Sequence, residues 1–138
     1  MKRTAAAIWN GSGKEGKGTL TTQSTTLNKT QYSYKSRFEE GVGTNPEELV
    51  AAAHAGCFAM ALSFALQGMG ITPDTLDVSA VITLDPPSGS ITSSELTLKA
   101  KIPGITDEQF KGATEGAKLN CPISKLLNTK ITLNASLV

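Results

Sequence analysis

Polar and apolar positions alternate along most of this chain, and one long stretch breaks the alternation. Thr4 to Trp9 and Gly18 to Thr25 predict two short strands around a Gly/Lys loop, Gly11 to Lys17, with Thr-rich alternation supporting the second. From Gln31 to Glu39, Tyr32, Tyr34, Ser36 and Phe38 share one face and Ser33, Lys35, Arg37 and Glu39 the other, the pattern of a half-buried strand. Leu76 to Leu84 and Ile91 to Ile102 predict two more strands, joined by the turn Asp85-Pro86-Pro87-Ser88-Gly89. Lys130 to Val138 alternates as a last one.

Helices interrupt this pattern. After the turn at Gly41 to Thr44, Asn45-Pro46-Glu47-Glu48 carries a helix start: Asn at N-cap, Pro at N1 and two acids in the first turn. The helix is predicted from Pro46 to about Met69. Thr106 suits the N-cap of a second helix ending near Asn120, and Cys121-Pro122 opens a short helical segment through Leu127. The order strands, helix, strands, helix, strand predicts an α+β fold with antiparallel sheet.

The long helix carries no charge over the 18 residues from Leu49 to Leu66. That length raises a membrane span. Its Ala-rich composition, His54, Gly56 and tight polar cap favour a helix buried on nearly all sides, and no membrane association is expected. So short a chain has little with which to wrap such a helix, and a partner subunit is expected to supply part of the cover.

Composition narrows the function. The 138 residues fit one domain, 1–138, and 39% hydrophobic residues suffice for a core. A net charge of +1 and 5% aromatics offer neither a basic field nor stacking platforms for nucleic acid. The apolar stretch after Met1-Lys2-Arg3 is too short for a signal-peptide core, so a cytoplasmic protein is expected. Two cysteines and one histidine fall short of a structural zinc site. In a reducing compartment the cysteines read as catalytic or incidental rather than as a structural disulfide.

Gly11 to Thr19 nearly fits a phosphate-binding loop. Gly18 stands where Ser or Thr must follow the lysine, and a strand follows instead of a helix; a hairpin loop is the reading. Cys121, at a helix start before Pro122, has the setting that lowers a thiol pKa. It resembles a one-cysteine CxxC motif, but helix rather than strand precedes it. A buried small hydrophobe is its plain reading. Cys57 lies mid-helix after Gly56, with His54 three residues earlier on a neighbouring face. His54 either tunes that thiol or is a satisfied core residue. Arg37 reads by default as solvated, and Glu48 as the capping acid at N3.

Taken together, Ala6-Ala7-Ile8-Trp9-Asn10-Gly11, Gly16-Lys17-Gly18-Thr19, Tyr34 to Phe38, Gly43-Thr44-Asn45-Pro46-Glu47-Glu48-Leu49, Ala52 to Leu62 with Ala53-His54-Ala55-Gly56-Cys57-Phe58 at its centre, and Asn120-Cys121-Pro122-Ile123-Ser124 resemble the OsmC (osmotically inducible protein C) peroxidases, relatives of the organic hydroperoxide resistance proteins. The resemblance spans essentially the whole chain. It implies an α+β intertwined homodimer with sheet wrapped around long central helices. It also implies reduction of organic hydroperoxides without metal or organic cofactor, and a dithiol reductant such as a dihydrolipoyl group. The family's peroxidatic cysteine corresponds to Cys57 and its resolving cysteine to Cys121; its active-site arginine and glutamate match Arg37 and Glu48.

On that reading Arg37 stabilises the Cys57 thiolate and the departing alkoxide, and Glu48 holds the guanidinium in a bidentate pair. Cys57 becomes a sulfenic acid and Cys121 condenses with it to a disulfide. Glu48 and Cys57 are nine residues apart on one predicted helix, roughly 13.5 Å and about 180° of rotation, so Glu48, with Arg37, is expected to complete a partner's site. Phe38, Phe58, Met60 and Leu62 are candidates for an apolar substrate pocket, with core packing as their plain role. Two other functions use the same residues: a redox-sensing binding module whose disulfide alters an interface, and a ligand-binding dimer with incidental thiols.

Overall fold

The computed structural model describes residues 1–138, in two compact units, Met1–Leu49 and Val50–Val138. In the first, β1 (Ala5–Asn10), β2 (Lys17–Thr22) and β3 (Thr30–Ser33) form an antiparallel meander in that order. Gly18 on β2 lies under the Trp9–Tyr32 ring pair, whose centroids are 5.3 Å apart. A Cβ there would stand 2.3 Å from the Tyr32 ring and 2.7 Å from Trp9.

The alternation read as one strand from Gln31 to Glu39 divides at Ser33. Only Thr30–Ser33 is strand; Tyr34–Phe38 is a helix, α1. The cause is a capping box: Ser33 Oγ accepts the Ser36 N–H and Ser36 Oγ accepts the Ser33 N–H, which stabilises a helix start against strand propensity. Ser36 Oγ also donates to the Thr44 carbonyl at 2.8 Å. The chain returns through Gly43, at φ +107, where a Cβ would lie 2.1 Å from the Gln31 carbonyl oxygen; the turn requires glycine.

Helix α2 (Pro46–Gly68) is unbroken. Asn45 caps it as expected, its Oδ1 accepting the Glu48 N–H at 2.9 Å. In the second unit, α2 is followed by β4 (Thr75–Asp85), β5 (Ser90–Lys101), α3 (Asp107–Asn120), α4 (Pro122–Leu126) and β6 (Lys130–Leu137). The sheet order is β4-β5-β6. β4 and β5 pair antiparallel, as expected, with an irregularity at Thr83/Leu84. β5 and β6 run parallel, which corrects the all-antiparallel expectation. The α3–α4 segment between them is long enough for the crossover that a parallel pair needs.

The core forms where one face of β5 meets one stripe of α2. Leu96, Leu98 and Ala100 alternate inward with Ser94, while Phe58, Leu62 and Leu66 lie four residues apart below His54; all are buried. Phe110, Ala113 and Ala117 of α3 complete the cluster. Thr106 caps α3 through a box with Gln109. The rest of α2 is not buried on all sides: Ala52, Ala53, Gly56, Met60, Phe64 and Ala65 are exposed, Met60 by 63% and Phe64 by 65%. The helix is also long and apolar enough to cross a membrane.

Candidate active site

Both cysteines are free thiols, Cys57 half-buried and Cys121 fully buried. Cys57 is presented by α2 one residue before Phe58, so the core stripe fixes its azimuth. Cys121 stands at the junction of two helices. Its N–H donates to the Ala117 carbonyl, closing α3, and its own carbonyl accepts from Lys125, opening α4. Pro122 at N1 sets the new helix direction.

Cys57 and Cys121 are close enough for one thiol to influence the other. Burial pushes the Cys57 thiol pKa above its ordinary 9.0, and the hydrogen bond to Cys121 and the neighbouring sulfur's charge push it the same way. The opposing influence is a hydrogen bond with the Ile123 backbone rather than a cationic side chain. Within one chain, then, Cys57 is held as a thiol.

His54, one turn before Cys57, is fully buried and bonded at both ring nitrogens: Nδ1 to Ser94 Oγ of β5 at 2.6 Å and Nε2 to Ser124 Oγ of α4 at 2.8 Å. Burial lowers its pKa, leaving a neutral ring that donates at one nitrogen and accepts at the other; serine hydroxyls match either tautomer.

In the first unit, Arg37 projects from α1 and grips Glu47, not Glu48. Its Nε lies 3.0 and 3.2 Å from the two carboxylate oxygens and its Nη2 lies 2.9 Å from Oε1. Glu48 instead accepts from Thr44 Oγ1. The expected Arg37–Glu48 fork is therefore an Arg37–Glu47 fork in this chain. The strand reading of residues 34–38 had concealed the direction in which Arg37 points. The guanidinium also lies 5.1 Å from the Phe38 ring centroid, beside a cavity of about 250 Å³ lined by Trp9, Tyr32, Tyr34, Arg37 and Phe38 among others. Of the candidate pocket residues, Phe38 lines this cavity, Phe58 and Leu62 belong to the core, and Met60 is exposed.

Sequence reasoning missed Glu47, Thr44, Ser94 and Ser124. One signal was available: a buried histidine in an uncharged stretch of helix needs polar partners. No spacing in the chain says which serines serve.

The fold and the facing thiols define the class first: an α+β chain carrying a free cysteine pair. The chain matches the OsmC-like protein family over residues 39–136, and it belongs to that family. It is 44% identical to Peroxiredoxin OsmC of Escherichia coli (strain K12) over 139 residues, covering 99% of this chain and 97% of that protein. Among solved structures it shares its fold with an OsmC-like protein from Mycoplasma pneumoniae, at TM-score 0.75 and 16% identity over 100% of this chain and 98% of that one. It also resembles the organic hydroperoxide resistance protein OhrB of Bacillus subtilis, at TM-score 0.65 and 23% identity over 98% of each chain.

Proposed function

We propose that this chain is a cytoplasmic thiol peroxidase that reduces organic hydroperoxides to alcohols through Cys57 and Cys121. The observation that carries the reading is the proximity of two free thiols, one half-buried and one fully buried. The 44% identity to a peroxiredoxin gives the reaction class. The Cys57 thiolate attacks the peroxide O–O bond and keeps one oxygen as sulfenic acid. The other oxygen leaves as alkoxide and takes a proton to become the alcohol. Cys121 then displaces hydroxide from the Cys57 sulfur, giving an intrachain disulfide and water. An external dithiol reduces that disulfide by exchange and is itself oxidised.

Attack requires a thiolate, and a lone chain holds Cys57 protonated. The reading is a homodimer in which the exposed apolar face of α2, Gly56, Met60 and Phe64 included, packs on a second copy and Arg37 reaches that copy's Cys57. Two observations support it: a helix uncharged from Leu49 onward with an open apolar face does not stay in water alone, and the unbroken helix keeps Glu48 and Cys57 of one chain on opposite faces. The Glu47 fork presents the guanidinium, and Glu48 supports the turn through Thr44.

The test is steady-state consumption of cumene and tert-butyl hydroperoxides, compared with hydrogen peroxide, with a dithiol donor. Wild type should turn over the organic substrates faster. Cys57→Ser should be inactive, and Cys121→Ser should complete a first turnover and then overoxidise. A protein that reacts once and stops in the presence of dithiol is a redox sensor. Undiminished function in Cys57→Ser would make the thiols incidental.

A further inference from the structure

His54 joins the two elements that carry the thiols, by a route separate from the thiols themselves. The ring sits on α2 three residues before Cys57, and its Nε2 bonds Ser124, three residues after Cys121. Its other nitrogen bonds Ser94, whose strand lies in the core sheet. All three side chains are buried. α4 is only five residues long and leaves Leu126 largely exposed, so few apolar contacts fix its position. The hydroxyl of Ser124 makes a side-chain hydrogen bond that ties this short helix to α2, and a bond buried from water has no solvent competitor to replace it.

We propose that His54 is a positioning residue for disulfide formation: through Ser124 it holds the Cys121 turn against Cys57. Cys57 sulfenic acid is then captured before a second hydroperoxide reaches it. The proposal rests on the peroxidase reading above. Two reactions compete for the sulfenic acid. In one, the Cys121 sulfur attacks the Cys57 sulfur, an S–S bond forms, and the hydroxyl leaves with the thiol proton as water. In the other, the sulfenate attacks a second hydroperoxide, gains an oxygen to become sulfinic acid, and releases an alcohol. The first is intramolecular and depends on the spacing of the sulfurs; the second does not. Cutting the Ser124 tie slows only the first.

The experiment follows the fate of Cys57 by intact mass during turnover with excess cumene hydroperoxide and a dithiol. Wild type, Ser124→Ala, His54→Asn and His54→Gln are compared. Glutamine places its terminal amide near the Nε2 position and can keep the Ser124 bond; asparagine reaches only the Nδ1 side. Sulfinic acid per turnover should rise about tenfold in Ser124→Ala and His54→Asn, a shift of about 1.4 kcal/mol in the partition. The rate of Cys57 oxidation should stay within about twofold, since the Ser124 hydroxyl and the His54 ring bond each other and Ser94 rather than the Cys57 sulfur. His54→Gln should restore most of the wild-type partition. Folded Ser124→Ala with an unchanged partition, or equal sulfinic yields from His54→Gln and His54→Asn, would overturn the proposal and leave His54 as packing. A wild-type Cys57 that the hydroperoxide does not oxidise would overturn the peroxidase reading instead, and this proposal with it.

Discussion

Acidification should destabilise this chain through one residue. His54 has no solvent exposure, and burial holds its pKa below the ordinary 6.5. The unfolded chain regains the ordinary value. As pH falls through 6.5, the unfolded state takes up a proton that the native state refuses, so the native state loses ground. The contribution is fully present above pH 6.5 and is lost progressively below it, until the folded ring also titrates. For one proton the slope is at most about 1.4 kcal/mol per pH unit. One unit below 6.5, the loss is therefore bounded at about 1.4 kcal/mol. The two hydrogen bonds, at 2.6 and 2.8 Å, add no penalty of their own, because serine oxygens can accept from both nitrogens of a protonated ring. The penalty is desolvation of the charge. The assay is urea unfolding of wild type and His54→Gln at about pH 7.5 and 5.5, at one fixed protomer concentration because the proposed assembly would add its own stability. The difference between the two proteins removes the carboxylates that titrate in both. Wild type should lose more than the variant, by at most about 1.4 kcal/mol. Parallel losses in the two proteins would show that the ring ionises in the fold as it does in water, and would refute the buried neutral clamp.

Arg37→Ala should lower kcat/KM for cumene hydroperoxide by about 10²–10³ while changing stability by less than about 1 kcal/mol, because its ion pair is partly exposed; comparable loss of stability would assign Arg37 to the fold instead. In the same variant, iodoacetamide alkylation of Cys57 should shift to higher pH than in wild type; identical midpoints would contradict activation by Arg37. Gly56→Leu has open space in the single chain and removes a glycine from a helix interior, yet it should convert the proposed dimer to monomer in sedimentation. A dimer that survives would move the interface elsewhere. Gly43→Ala should destabilise the chain by about 1–3 kcal/mol in urea, since its φ is positive and the Gln31 carbonyl blocks a Cβ.

The long helix was legible because its cap is local: Asn45, Pro46 and the two acids lie next to one another, and the observed start agrees. The same holds for Thr106 and for Pro122. Residues 34–38 were misread because their polar and apolar positions alternate as in a strand, while the deciding contact is a reciprocal hydrogen bond between Ser33 and Ser36 that hydrophobic patterning does not register. The parallel β6 was invisible for a different reason: strand direction depends on how α3 and α4 cross the sheet, not on any feature of Lys130 to Leu137. At the site, the cysteine pair could be named from the sequence, but the partner of Arg37 could not. Glu47 and Glu48 are adjacent acids in one helical turn, and about 100° of rotation decides between them. Likewise the Ser94–His54–Ser124 chain joins residues 40 and 70 positions apart, a distance over which serines carry no spacing signal.

The central claim is that Cys57 and Cys121 form a working redox pair, and the direct measurement is a single oxidation. The reduced protein is treated with one equivalent of cumene hydroperoxide and examined by intact mass and peptide mapping. The account predicts the loss of two hydrogens per chain, a Cys57–Cys121 linkage, one cumyl alcohol released, and none of these in Cys57→Ser. Unchanged mass with both thiols free, or the same alcohol yield from Cys57→Ser, would contradict it.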